Sequence, residues 1–168
     1  MQCYNKTKVN TLKTKNKMKE IKTISEGKNY TAVSLGKMCD LHEFELPLGP
    51  DTTMKGKVFA GSALKATGSE ISFQYLNPGE GTPFLHSHKQ HEELYIIVKG
   101  EGEYQVDGEV FPISEGSVIR VAPDGVRALR NNGTEPMVMI CVQYKAGSFG
   151  KDDDIMTDGN ISDAPVKW

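Results

Sequence analysis

The sequence predicts an all-β sandwich or barrel folded as one domain. The chain has 168 residues, a length that suits a single domain with a substantial core. Its 17 glycines and 8 prolines separate short runs of β-forming residues. Several short strands between turn signals are typical of a sandwich or barrel. Between residues 57 and 144 no helical periodicity competes with this pattern.

The composition excludes several other classes of protein. The formal net charge of −2 gives no indication of a nucleic-acid partner, and no apolar run approaches the roughly 18 residues of a membrane span. The three cysteines are odd in number and far apart, so they predict neither a disulfide framework nor a metal motif. We therefore expect a cytoplasmic location, with no nucleic-acid or membrane partner.

Composition also shifts along the chain. Residues 1–17 contain five lysines and no acid, and we expect a disordered basic extension there. Residues 18–147 carry the strand pattern and should form the barrel domain. Residues 148–168 are acidic and sparse in apolar residues, which predicts a C-terminal tail.

The first half of the domain contains two clear alternations. Residues 40–46 alternate apolar and polar side chains, which predicts a strand. Residues 70–76 alternate as well, and this second strand should place Ile71, Phe73 and Tyr75 on one face.

The second half of the domain is divided by tight turns. Asp107-Gly108 lies between two β-like runs and is a strong signal for a two-residue hairpin. Residues 117–121 and 126–130 predict two further short strands. Residues 137–144 form a continuous apolar run, typical of a strand buried on both faces. In all, we expect eight to ten strands.

A cluster of histidines gives the main functional signal. Three of the four histidines, His86, His88 and His91, lie within six residues. In a strand, His86 and His88 would point to one face, roughly 7 Å apart. Residues 94–98 predict a second, antiparallel strand, whose first carboxylate would lie opposite His88. Two imidazoles and a carboxylate together predict a first-row transition-metal site.

The residues around this cluster resemble the first motif of the cupins, which are small jelly-roll β-barrels. That motif reads Gly-(x)5-His-x-His-(x)3,4-Glu-(x)6-Gly, and His86, His88, Glu93 and Gly100 match its core. Its leading glycine corresponds to Gly79, which is one residue too early. The resemblance implies a double-stranded β-helix.

A second cupin motif, Gly-(x)5-Pro-x-Gly-(x)2-His-(x)3-Asn, is also recognisable. Gly116, Pro123, Gly125 and Asn132 correspond to it, with one extra residue after the first glycine. This comparison places Ala128 where the family has a metal-binding histidine. The resemblance therefore implies three protein ligands, His86, His88 and Glu93.

Such a two-His-one-carboxylate set favours Fe(II), although Mn, Ni, Zn and Co tolerate the same donors. Because Ala128 has no donor atom, a site without metal is the alternative.

Alternation selects between the two neighbouring acids. If Tyr95 and Ile97 face the interior, Glu93 joins them, whereas Glu92 and Leu94 face outward.

Three further residues are candidates at the site. His91 lies in the connection between the predicted strands, as a surface residue or as an extra ligand. Arg130 lies two residues after Ala128 and would face inward with it, where its guanidinium suits a carboxylate or phosphate. Tyr95 is a further residue that could line a substrate pocket.

These observations favour a small metal-binding protein that acts on a small polar or anionic molecule. The resemblance implies dioxygenase or isomerase-like chemistry, with catalytic residues that the sequence does not identify. The alternative is a non-catalytic barrel that binds a small ligand with or without metal. The family resemblance also implies a homodimer.

Overall fold

The computed structural model of the protein describes residues 18–50, 52–150, 153 and 157–168. The extension predicted at residues 1–17 lies outside these residues. Within the described part of the chain, twelve strands and two short helical segments are found. The strands are β1 (Lys22–Gly27), β2 (Tyr30–Ser34), β3 (Glu45–Pro47), β4 (Thr53–Lys55), β5 (Lys57–Phe59), β6 (Ser69–Leu76), β7 (His91–Lys99), β8 (Glu101–Val106), β9 (Glu109–Ser114), β10 (Val118–Val121), β11 (Arg127–Arg130) and β12 (Met137–Lys145).

Two antiparallel sheets form the double-stranded β-helix predicted from the sequence. The larger sheet has the strand order β10-β7-β12-β6-β5, and the smaller has the order β11-β8-β9. Two-stranded sheets, β1-β2 and β3-β4, are added to this barrel. The order is not sequential, because β7 pairs with both β10 and β12. This crossing brings side chains from distant parts of the chain onto one inner face.

The main core lies between the two large sheets. Alternate residues of each strand point into it, as the two-residue period of a strand requires. The larger sheet contributes Tyr95, Ile97 and Met139, and the smaller sheet contributes Tyr104 and Leu129, all of them buried. Burial of this apolar surface is the dominant favourable term in the stability of such a barrel.

The predicted hairpin at Asp107-Gly108 is confirmed. These two residues connect β8 to β9, and Val106 pairs with Glu109 across the turn. Both have positive φ, 51° for Asp107 and 90° for Gly108. A type I′ turn requires this conformation at both central residues, which is why Asp-Gly is favoured there.

The strand predicted at residues 40–46 is wrong. Residues Met38–Glu43 form a 3-10 helix, and the strand that follows is only Glu45–Pro47. Backbone bonds from Asp40 N to Lys37 O and from Phe44 N to Leu41 O close the turns. Leu41 and Phe44 are three residues apart, and both side chains are buried. A 3-10 turn places residues at this spacing on one side, so burial of the pair favours the helix.

A second apolar cluster lies on the outer side of the larger sheet. It contains Leu41, Phe44, Leu35 and Val138, with Phe73 and Tyr75 packed against it. Phe73 and Tyr75 therefore lie on one face, as predicted, and that face points away from the barrel interior. Ile71 is not part of this cluster.

Strand β12 is more exposed than the sequence predicts. Its inward residues Met137, Met139 and Cys141 are buried, but the outward residues Ile140, Val142 and Tyr144 are only half-buried. In the C-terminal region, residues 153 and 157–168 are exposed and belong to no strand or helix. Among the described residues, no helix is both long and apolar enough to cross a membrane.

Candidate metal centre

The histidine segment lies between β6 and β7 and is held by the second half of the chain. His86 exchanges two backbone hydrogen bonds with Arg127, and His88 N donates to Pro123 O at 2.8 Å. The connection between β6 and β7 therefore pairs antiparallel with β11, through isolated bridges between Gly81 and Arg130 and between His86 and Arg127. The predicted hairpin between this segment and residues 94–98 is wrong, because β7 is paired with β10 and β12 instead.

His86, His88 and Glu93 nevertheless converge on one point. One possible ligand atom from each of the three residues lies within 4.8 Å of the other two. His88 Nε2 is 3.2 Å from Glu93 Oε1, and His86 Nε2 is 3.9 Å from Glu93 Oε2. Glu93 is buried, whereas the two histidines are half-buried at the mouth of the barrel.

The two oxygens of the Glu93 carboxylate have different surroundings. Oε2 accepts hydrogen bonds from Tyr95 OH at 2.5 Å and from Arg127 Nε and Nη2 at 3.0 and 2.6 Å. Oε1 lies 3.2 Å from His88 Nε2 and accepts a weak hydrogen bond from Cys141 Sγ at 3.5 Å. The carboxylate is therefore fixed through Oε2, and Oε1 is the oxygen directed at His88.

Arg127 is the residue of the site that the sequence analysis missed. Its side chain is fully buried. Besides the bonds to Glu93, Nη1 donates to the carbonyl oxygens of Gly125 at 2.8 Å and Pro123 at 3.3 Å. A buried guanidinium is stable only when it is paired and its donors are used in this way.

The inward orientation predicted for Arg130 is wrong. Along β11, Arg127 and Leu129 are buried and Arg130 is exposed. Arg130 instead pairs with Glu103, with Nη2 2.6 Å from Oε2. The prediction assumed that Ala128 faces inward, and an error of one residue in a strand moves every side chain to the opposite face.

The other candidate residues are found in three different positions. Tyr95 is buried, and its hydroxyl donates a hydrogen bond to Glu93. His91 lies at the exposed start of β7, where its ring centroid is 6.5 Å from that of His88. It is not a member of the converging group. Glu92 faces the outer side of the sheet and forms an ion pair with Arg120.

The electrostatics of the site favour an ionised Glu93 carboxylate, a neutral His86 and a protonated Cys141 thiol. Burial alone would raise the pKa of Glu93, but the hydrogen bond from Tyr95 and the bonds and charge of Arg127 lower it to about 2. Burial, together with the Arg127 charge, lowers the pKa of His86. Burial raises the pKa of the Cys141 thiol to about 12. Near neutral pH, Glu93 is thus an anion, His86 is neutral and Cys141 is a thiol.

The donor set fits a divalent transition metal. Two ligand atoms each about 2.1 Å from one ion lie roughly 3.0 to 3.4 Å apart, and the 3.2 Å between His88 Nε2 and Glu93 Oε1 agrees with this spacing. His86 lies somewhat farther out. The buried Arg127 works against binding, because it puts a positive charge on the far side of the ligand carboxylate.

The fold and the site together define a double-stranded β-helix protein with a possible two-His-one-Glu metal site. Comparisons with known proteins agree on the fold. A family model described as "Cupin domain" matches residues 72–143. The crystal structure of a cupin protein from Bacteroides fragilis is similar with 38% identity and a TM-score of 0.60, over 70% of this chain and 94% of that chain. The chain belongs to the cupin superfamily.

Two more distant similarities give weaker support for the family assignment. An uncharacterized protein of Methanocaldococcus jannaschii is 33% identical over 60 residues, which are 36% of this chain. The match spans about half, 48%, of that relative's length. A proposed sugar phosphate isomerase from Acidithiobacillus ferrooxidans has a TM-score of 0.52 at 20% identity, over 60% of this chain and 66% of that chain, which reflects a shared fold.

Proposed function

We propose that this protein is a metal-binding cupin that acts on a small polar or anionic molecule at the centre formed by His86, His88 and Glu93. The observation that carries this proposal is the convergence of the three side chains, in which His88 Nε2 lies 3.2 Å from Glu93 Oε1. Dioxygenase or isomerase-like chemistry is the class we favour. The alternative is a non-catalytic cupin that binds a small ligand.

The chain's own residues have separable roles in this proposal. A bound Fe, Mn, Ni, Zn or Co ion would supply a Lewis acid with open positions for ligand oxygens. Arg127 and Tyr95 hold the Glu93 carboxylate in one orientation, so that Oε1 is presented to the ion. The protein does not offer Cys141 or Tyr95 as a nucleophile or base near neutral pH, because burial raises the pKa of both groups.

We also propose that Arg127, and not Ala128, stands where the cupin motif has its second-motif histidine. The motif places a histidine four residues before an asparagine. Asn131 is buried and bonded through its amide to Leu76 O and Glu135 O, whereas Asn132 is exposed. Counting back four residues from Asn131 gives Arg127, which faces the interior. The fourth ligand would then be replaced by a cation rather than by an inert methyl group.

Metal analysis of purified variants tests the proposed centre. We expect about one divalent ion per chain in the wild type and a large loss in His88→Ala, with the thermal unfolding of the apoprotein little changed. His91→Ala is the matched control and should keep its metal, because His91 lies outside the converging group. Unchanged metal content in His88→Ala would refute the centre.

Turnover separates the two candidate functions. Oxygen uptake or product formation after Fe(II) is added would favour the enzyme, and ligand binding without turnover would favour the binding protein. Homodimerisation and a cytoplasmic location stay predictions, which sedimentation and cell fractionation can check.

A further inference from the structure

Gln143 lies directly opposite Glu93 at the mouth of the barrel. It is near the end of β12, and the antiparallel register of β12 with β7 pairs the two residues. Facing residues on adjacent strands have Cβ atoms roughly 4.5–5.5 Å apart. The preceding inward residues of β12, Met139 and Cys141, are buried in the main core, so the two-residue period of the strand directs Gln143 to the same face. Gln143 is therefore a polar side chain on the wall of the candidate metal centre.

The Gln143 amide contacts the ring of His88. Its Nε2 lies 3.3 Å from His88 Nδ1 and 3.4 Å from His88 Nε2. The lone pairs of the two imidazole nitrogens lie in the ring plane and diverge, so an atom almost equally far from both nitrogens is in line with neither. The amide thus lies over the ring and makes no strong hydrogen bond to it. Among the described residues, Oε1 of this half-buried side chain has no hydrogen-bond partner.

An ion at the centre would remove His88 as an acceptor for this amide. A neutral imidazole has one donor nitrogen and one acceptor nitrogen. His88 Nε2 is the nitrogen directed at Glu93 Oε1, so it is the one that would bind an ion, and Nδ1 would carry the proton. The N–H groups of Gln143 are then available to an acceptor on a molecule that occupies the open side of the centre.

The other hydrogen-bonding side chains around the candidate ligands are already used. In the described part of the chain, the donors of Tyr95, Arg127 and Cys141 are directed at Glu93 or at backbone carbonyl oxygens. Gln143 differs from these three residues because neither end of its amide has a strong partner. It is therefore the side chain placed to hydrogen-bond with a bound molecule.

We propose that Gln143 recognises the small molecule that this cupin binds, by donating a hydrogen bond from Nε2 to a carbonyl or carboxylate oxygen of that molecule. This inference rests on the proposed function, because it places the accepting oxygen at the open side of the metal centre. The ligand class is a small keto or carboxylic acid. Gln143 thereby takes the ligand-binding role that the sequence predicted for Arg130, which is exposed.

A carbonyl or carboxylate fits this wall of the centre better than a phosphate dianion. Phosphate sites typically use arginine or lysine, whose charge compensates the anion. Here the Arg127 charge is already compensated by Glu93, and the amide of Gln143 is neutral. The side chains that hydrogen-bond to the candidate ligands thus supply a donor without a spare positive charge.

The test is a spectroscopic titration of the full chain loaded with Co(II), whose visible absorption reports binding at the ion. Pyruvate and lactate supply oxygen acceptors, whereas imidazole coordinates through nitrogen and carries no oxygen. We expect Gln143→Met, which is similar in size but has no N–H group, to weaken pyruvate and lactate binding about tenfold or more. Imidazole affinity and Co(II) content should stay within about twofold of the wild type, because neither needs the amide donor.

Gln105→Met is the matched control. Gln105 is also half-buried, but it alternates with the buried Gly102 and Tyr104 along β8 and so faces away from the core. This variant should bind pyruvate, lactate and imidazole as the wild type does. Gln143→Leu is a second variant without the donor and should behave as Gln143→Met.

Cobalt content is measured on the same samples, so that the two proposals fail separately. Normal Co(II) content with selective loss of pyruvate and lactate binding supports the inference. A wild type that takes up no Co(II) refutes the metal centre, and the inference with it. Normal Co(II) uptake with wild-type pyruvate affinity in Gln143→Met refutes the inference alone. Equal losses for pyruvate and imidazole, metal loss in Gln143→Met, or wild-type protein that binds phosphate more tightly than pyruvate also overturns it.

Discussion

The Arg127 guanidinium donates two hydrogen bonds to a single oxygen of the Glu93 carboxylate, from Nε at 3.0 Å and from Nη2 at 2.6 Å. Both side chains are buried, so their attraction is little screened by solvent. The pair leaves the other oxygen of Glu93 directed at His88. One ion pair thus both stabilises the barrel interior and selects the oxygen available to a metal.

Arg127→Met is expected to destabilise the metal-free protein by about 3–5 kcal/mol, because removal of one partner leaves the other charge buried without compensation. In a Glu93→Gln background the same substitution should cost much less, since the anion is already gone. Urea unfolding of the four proteins in this double-mutant cycle measures the coupling.

Arg130→Met is the matched control for that cycle. Arg130 pairs with Glu103, but its side chain is 65% exposed, and exposed pairs contribute about 0–1 kcal/mol. Similar losses in Arg127→Met and Arg130→Met would contradict the buried pair.

Local patterns were sufficient for the parts of the fold that depend on adjacent residues. Asp107-Gly108 predicted its hairpin because both positions need positive φ, a property of the two residues alone. His86, His88 and Glu93 were identified because they are close in sequence. The structure brings them together, although residues 86–88 do not pair with β7 as predicted. The prediction that these three residues lie together was therefore right, although the strand pairing from which it was argued was wrong.

The wrong predictions, such as the inward orientation of Arg130, depend on which strands pair and in which register. The sequence alone did not tell which of Arg127 and Ala128 faces inward, because Asn131 and Asn132 are adjacent and the motif fits in two phases that place opposite faces inward.

Arg127→His is expected to bind the metal more tightly than the wild type, by roughly tenfold or more. The substitution adds an imidazole donor at the interior face and removes the cation that competes for Glu93. Equilibrium competition against a chelating dye would measure the change in affinity at neutral pH.

Ala128→His is the matched control, since it places the same imidazole one residue farther along β11. Because Ala128 alternates with the buried Arg127 and Leu129, the added ring should point away from the centre and leave metal affinity unchanged. Tighter binding by Ala128→His than by Arg127→His would restore the original motif comparison and contradict our assignment of Arg127.

Leu41→Ala is expected to reduce stability by about 2–5 kcal/mol, the usual range for a large-to-small substitution in a core. Leu41 is 0% exposed, in the 3-10 helix that covers the outer side of the larger sheet. Metal content of the folded variant should not change, because this cluster lies on the opposite face from the centre. Leu48→Ala, at a position 45% exposed, should cost within about 0.5 kcal/mol. Equal effects would show that the second cluster does not stabilise the fold.

Acid should weaken the metal-free protein through Glu93. The folded-state pKa of Glu93 is about 2, below its ordinary value of 4.5. A depressed carboxyl pKa stabilises the folded state fully above about pH 4.5, and this contribution is lost as the pH falls toward 2. The shift corresponds to about 3 kcal/mol in total, of which about 2 kcal/mol should be lost between pH 6 and pH 3.

Glu93→Gln isolates this term from other acid effects, because it lacks the titrating group but keeps the rest of the chain. The difference in unfolding free energy between wild type and Glu93→Gln should therefore be largest near pH 6 and shrink on acidification, in buffers that contain a chelator. Glu103→Gln, which removes the partner of the exposed Arg130, should show little such narrowing because solvent screens that pair. If the difference in unfolding free energy between wild type and Glu93→Gln stayed constant between pH 6 and pH 3, Arg127 and Tyr95 would not be holding the carboxylate in its charged form. The argument that these two residues leave Oε1 to face the metal would then lose its physical basis.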